Sequence, residues 1–176
     1  MDTRDLSLTA IFVSLYFVIN TLQTMVGGPI TYGPIQFRVV DCLLALAALF
    51  GCPVVFGVSI GAFLANAYYF IGPLDVILGP VANFIAASLI LLLRNRRLFA
   101  CVVGALPVGI IVGGYLWVFF PPPEIFSFLP VWAAMIASIT ISSLIAIVIV
   151  GYILLVALSK PGVIEPLKSR GLKVIE

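Results

Sequence analysis

Apolar runs of near-membrane length, separated by short Gly–Pro breaks, set the pattern of this chain. A helix needs about 20 apolar residues to cross a hydrocarbon core. Six runs approach or exceed that length. The first covers residues 6–26 and stops at Gly27-Gly28-Pro29, with a second break at Gly33-Pro34. The second, 34–50, ends at Gly51-Cys52-Pro53, and the third, 54–71, ends at Gly72-Pro73. The fourth, 74–93, closes on Arg94-Asn95-Arg96-Arg97. The fifth, 98–119, meets Pro121-Pro122-Pro123, and the sixth, 128–158, is long enough to tilt. Gly and Pro are the strongest local breakers, so each run reads as one helix. The pattern predicts an all-α membrane protein. It forms one domain over residues 1–176, a bundle of six transmembrane helices with a short charged tail at 159–176.

Composition supports lipid as the solvent. The chain is 63% hydrophobic and 9% charged, with mean hydropathy +1.29. A soluble domain carries about 25% charged residues. The N-terminal run exceeds a signal-peptide core and follows a start that is not clearly basic, so it reads as the first span. With six spans, Arg4, Arg94, Arg96, Arg97, Lys160, Lys168, Arg170 and Lys173 share one side, and Arg38 lies alone on the other. Eight against one places both termini in the cytoplasm by the positive-inside rule, and the expected location is the cell membrane.

Charge and motif exclude several functions. The net charge of +2 sits in loops and tails, which argues against nucleic acid as a partner. No GxxxxGK[ST] phosphate loop occurs, so uphill transport would need a partner or an ion gradient. Histidine is absent, which removes the commonest general base and metal ligand. Cys42, Cys52 and Cys101 form no CxxC pair and read as small buried apolar residues. No enzyme, no metal and no cofactor is expected.

Polar residues within the runs gather on the outer side. Arg38 and Asp41 are three apart, so on a helix they share a face. Charges at this depth are costly and mark function, or else orient the helix as an interfacial ion pair. Asp75 opens the fourth helix, where it either complements the helix dipole or faces a site. Gly79 and Asn83 follow it at i+4 and i+8, on one stripe. Asn66, Asn20 and Gln23 lie near outer helix ends, and Tyr32 and Gln36 lie in the first outer loop. Each amide alone can serve as glue between helices. Together they predict a pocket open to the outside.

Arg38 can neutralise one carboxylate and leave Asp41 or Asp75 free, which favours a cationic or amino-rich ligand. Tyr32, Tyr68, Tyr69 and Phe37 offer flat surfaces to a ring. Trp117 and Trp132 read as interface belt residues. Small-residue stripes at Gly57-Gly61-Ala65 and Gly109-Gly113 suit packing within the bundle, while Ala10 and Ser14 can face another subunit.

Two motifs carry a family resemblance. Tyr32-Gly33-Pro34-Ile35-Gln36-Phe37-Arg38-Val39 with Asp41, and Gly72-Pro73-Leu74-Asp75-Val76-Ile77-Leu78-Gly79 with Ala86-Ala87, resemble the QueT family, as does Ala65-Asn66. These are S components of energy-coupling-factor (ECF) importers, associated with queuosine precursors. The resemblance implies a six-helix bundle with a substrate site near the outer face, capped by the first outer loop. It implies a substrate like a 7-deazaguanine base, which the polar residues Tyr32, Gln36, Arg38, Asp41, Asn66, Asp75 and Asn83 read above are expected to bind. It also implies an ECF transmembrane coupling protein and two ATPase subunits as partners, with Ala10 and Ser14 docking on the coupling protein. Val40-Asp41 stands where the family has Ser-Glu, and Asn83 where it has a small hydroxyl residue. The alternatives are a stand-alone gradient-driven transporter and an S component for another amino-rich vitamin or base.

Overall fold

A capping box starts the first helix. The Asp2 side chain accepts from the Asp5 N–H, and the Asp5 side chain accepts from the Asp2 N–H. The structure, a computed structural model, describes residues 2–169, Gly171 and Val174. Arg170 and Lys173, counted above among the basic residues, lie outside the described residues. All regular structure among the described residues is helical.

The principal helices are α1 (Thr3–Gly27), α2 (Val39–Phe50), α3 (Cys52–Tyr68), α4 (Pro73–Leu92), α5 (Arg94–Leu116), α6 (Val131–Leu158) and α7 (Pro161–Ser169). Four of them, α1, α4, α5 and α6, are long and apolar enough to cross a membrane. Helices α2 and α3 are apolar but shorter. The protein is therefore a multi-pass membrane protein. Pro53 and Pro73 sit in the first turns of α3 and α4, where a missing N–H costs nothing.

Helix α2 lies at the centre. Residues 40–50 are all buried, and it touches α1, α3, α4 and α6. Around it α1 packs on α3, α3 on α4, α4 on α5, and α5 on α6. Glycines set these distances. A Cβ on Gly61 would lie 2.7 Å from Tyr16 Cβ, and one on Gly113 would lie 2.6 Å from Ile136 Cα. The α3 stripe thus seats α1 and the α5 stripe seats α6, both within the bundle. Helix α2 opens as a 3-10 stretch, Val39–Leu46, and α6 contains a π stretch, Leu144–Gly151. The two meet at Gly151, where a Cβ would lie 3.0 Å from both Ala45 Cβ and the Cys42 carbonyl.

Three expectations need correction. The second helix does not begin at residue 34. After a single turn, Pro29–Tyr32, the chain is non-helical until Val39. Gln36 adopts φ +42°, a left-handed conformation that no helix continues. The backbone here is satisfied by side chains instead. Ser138 donates to the Pro34 carbonyl (3.0 Å) and Ser142 to the Ile35 carbonyl (2.5 Å). Gln23 on α1 donates to the Phe37 carbonyl and accepts from the Val39 N–H. Such irregular backbone survives at membrane depth only when protein covers it. Second, Arg38 precedes α2, so it does not share a helical face with Asp41. Third, Cys52 is exposed at the start of α3, whereas Cys42 and Cys101 are buried.

At the opposite end, Arg97 donates to the Ser159 hydroxyl (2.8 Å) and Arg4 to the Gly171 carbonyl (3.0 Å). The N-terminus, the α4–α5 link and the segment after α6 therefore lie together.

Candidate functional site

Among the described residues, one arginine and two aspartates are buried inside the bundle: Arg38, Asp41 and Asp75. Isolated charges are prohibitively costly in such surroundings, so their partners decide what the site can do. Arg38 Nη2 lies 3.8 Å from Asp75 Oδ1. Its Nη1 donates to Asn66 Oδ1 (3.3 Å) and its Nε to the Thr31 carbonyl (3.4 Å). The guanidinium carbon sits 4.5 Å from the centroid of the Tyr32 ring, a cation–π arrangement. Tyr32 also stacks on Tyr69, with centroids 5.0 Å apart and rings 11° from parallel. Its hydroxyl accepts from Asn20 (2.7 Å) and donates to Asn66 (3.4 Å).

Asn66 ties this group to α4. Its Nδ2 donates to the Asp75 carbonyl at 2.9 Å. Gly79 makes the room, since a Cβ there would collide with Asn66 Nδ2. Asp75 is fully buried, and its Oδ1 accepts a hydrogen bond from Tyr115 on α5 (2.7 Å). Replacing Gly79 by alanine is expected to destabilise the fold by about 1–3 kcal/mol through overpacking. Gly114→Ala, where a Cβ would meet nothing within 4 Å, is the control. Thermal unfolding in detergent should separate the two; equal melting temperatures would refute the clash.

Asp41 belongs to a second group. Its Oδ1 accepts from Tyr16 on α1 (2.7 Å), and the Tyr16 hydroxyl accepts from Asn83 on α4 (2.9 Å). Asp41 makes no salt bridge among the described residues. With Arg38 closest to Asp75, the buried set carries one positive and two negative formal charges.

Several buried atoms have no hydrogen-bond partner among the described residues. They include Arg38 Nη2, Asp75 Oδ2, Gln36 Nε2 and Asn20 Oδ1. Buried polar groups are almost always satisfied, so the unpaired Arg38 Nη2 and Asp75 Oδ2, on two side chains in contact, call for a ligand or water. A cavity of about 570 Å³ is lined by Tyr32, Tyr69, Phe70, Phe119 and Phe120 together with loop residues, and the residues bearing those four atoms are not among its described lining. Tyr32 borders both the cavity and the charged group.

The structure thus brings together Tyr32, Arg38, Asn66 and Asp75, and sets Asp41 with Asn83 close by. Gln36 is buried on the strained loop, where no described hydrogen bond joins its Nε2 to either group. Phe37 and Tyr68 stand apart from both groups. Phe37 lines a groove with Phe126 and Ser138, and Tyr68 packs on Phe17. Tyr16 and Tyr115 are the residues that sequence reasoning missed. Tyr16 was readable, because it lies one helical turn before Asn20 on the buried face of α1. Tyr115 sits in an apolar run with no such polar neighbour on its stripe. Ala10 and Ser14 lie on the exposed face of α1, in a shallow groove with Ile11, Leu15 and Val18.

A family model described as QueT transporter matches residues 6–160. The chain belongs to the QueT transporter family. A curated relative is the queuosine precursor transporter QueT of Lactococcus lactis subsp. cremoris (strain MG1363). It is 36% identical over 96 residues, which cover 53% of this chain and 53% of the relative. The chain as matched spans about half the length of that relative. No solved structure matches. Both motifs that carry the resemblance lie inside the matched family region, and so do the three buried charges.

Proposed function

We propose that this chain is the substrate-binding S subunit of an ECF-type importer in the plasma membrane. It captures a 7-deazapurine precursor of queuosine or archaeosine at the outer face. The observation that carries this reading is the buried set of one arginine and two aspartates, with unpaired donors and acceptors, beside an aromatic-lined cavity. A flat base suits the aromatic walls. An amino substituent suits the surplus buried carboxylate. The relative's name adds the queuosine precursor as substrate class. Tyr32, Gln36, Arg38, Asn66 and Asp75 would line the site, with Asp41 and Asn83 beside it.

Six crossings fit these dimensions. Helix α2 has eight 3-10 residues and four α residues, and rises about 22 Å. The non-helical residues 33–38 before it, bent at 33–35 and left-handed at Gln36, would supply the rest of a core of about 30 Å. Residues Arg4, Arg94, Arg96, Arg97 and Lys160 gather at the end away from Arg38, which supports cytoplasmic termini. Energy would come from the ECF transmembrane coupling protein and two ATPase subunits. The coupling protein would dock on the Ala10–Ser14 face of α1, which is exposed among the described residues.

The test is direct. The chain is purified in detergent and titrated with 7-aminomethyl-7-deazaguanine by calorimetry, alongside native mass spectrometry of the protein as isolated. One base bound per chain is expected. Failure to bind any deazapurine sinks the ligand assignment, and uptake in vesicles free of ATPase subunits sinks the S-subunit assignment.

A further inference from the structure

Asp75 and Asp41 each receive one tyrosine hydroxyl, but they are left in different states. Asp41 Oδ1 takes the Tyr16 hydroxyl, itself held by Asn83. Asp75 Oδ1 takes the Tyr115 hydroxyl and is also the oxygen nearest Arg38 Nη2. Asp75 Oδ2 is buried with no hydrogen-bond partner among the described residues, and so is Arg38 Nη2. One acceptor and one donor therefore stand unpaired on two groups already in contact.

Asn66 bridges the two groups. Asn66 holds the Asp75 carbonyl from one side, and its Oδ1 accepts from the same guanidinium through Nη1. With those anchors in place, Tyr115 settles how the carboxylate is turned. Its hydroxyl occupies Oδ1 and leaves Oδ2 open.

We propose that Tyr115 is a positioning residue that turns Asp75 so that Oδ2 and Arg38 Nη2 together read the lactam edge of the captured base. In that edge a carbonyl oxygen adjoins a ring N–H. The carbonyl accepts from Arg38 Nη2, and the ring N–H donates to Asp75 Oδ2. The proposal rests on the base-capture reading above and adds to it the edge that is read. Tyr115 does not touch the base; it acts through Asp75.

Two probes separate this role from a merely structural one: 7-deazaguanine, and 6-O-methyl-7-deazaguanine, which lacks the ring N–H and carries a blocked oxygen. Wild-type protein should bind the first at least about tenfold more tightly, as expected for a buried hydrogen bond to a charged group. Tyr115→Phe keeps the ring and removes the hydroxyl. It should weaken 7-deazaguanine by about tenfold and the methylated base by less than about threefold, so the preference collapses. Equal weakening of both probes, or of neither, overturns the positioning role and leaves base capture standing. A wild type that binds both probes equally overturns the lactam reading even if the variant does not fold. A wild type that binds neither overturns base capture and, with it, this inference.

Discussion

Replacing Asp75 by alanine is expected to weaken binding of 7-aminomethyl-7-deazaguanine about 100-fold or more, and to lower stability as well. Truncating one partner of a buried charge pair typically costs 2–5 kcal/mol in binding. Here the change strands two other groups. Arg38 loses its ion-pair partner at 3.8 Å, and the Tyr115 hydroxyl loses its acceptor at 2.7 Å. Breaking a buried pair costs a fold about 3–5 kcal/mol. Calorimetry and thermal unfolding on the same preparation read both effects. Asp41→Asn should be milder, about 1 kcal/mol, because an amide oxygen can still accept from Tyr16. Affinity within threefold of wild type in the Asp75 variant would remove the charged group from the site.

Gly61→Leu is expected to have the next largest effect, without touching a charge. A Cβ at this position would lie 2.7 Å from Tyr16 Cβ and 3.0 Å from the Val13 carbonyl, so α1 must move away from α3. Overpacking of this kind costs about 1–3 kcal/mol, and more where backbone is the obstacle. Tyr16 would move with α1 and release Asp41 and Asn83 together. The melting temperature should fall and base binding should weaken in the same variant. Gly114→Leu, at an exposed position with open space, should do neither. A Gly61→Leu protein with unchanged stability would mean that α1 and α3 do not pack as described.

The helices were legible because lipid imposes long apolar runs and Gly–Pro breaks end them. Expected spans 6–26, 74–93 and 128–158 lie within a few residues of Thr3–Gly27, Pro73–Leu92 and Val131–Leu158. The misplaced element was residues 34–38. Pro34 suggested a helix start, but nothing local revealed that Ser138 and Ser142, about a hundred residues later, would satisfy this backbone. That long-range substitution also explains the ion pair. With Arg38 outside the helix, its side chain reaches Asp75 rather than sharing a face with Asp41. Polar residues in apolar runs drew attention to the amides and carboxylates that the structure places in the two groups, because such residues are conspicuous there. Tyr115 was not, since a tyrosine in an apolar run with no polar neighbour on its stripe looks like an interface residue until its hydroxyl is located.

The Gln23 side chain makes two contacts with the peptide groups flanking Arg38: it donates to the Phe37 carbonyl and accepts from the Val39 N–H. A neighbouring β-strand would make the same pair of bonds. One side chain of α1 therefore clamps the arginine's backbone as a strand of one residue. The opposite face of α1 is the exposed one, bearing Ala10 and Ser14. A single helix thus carries both the exposed flank and the clamp on the arginine's backbone.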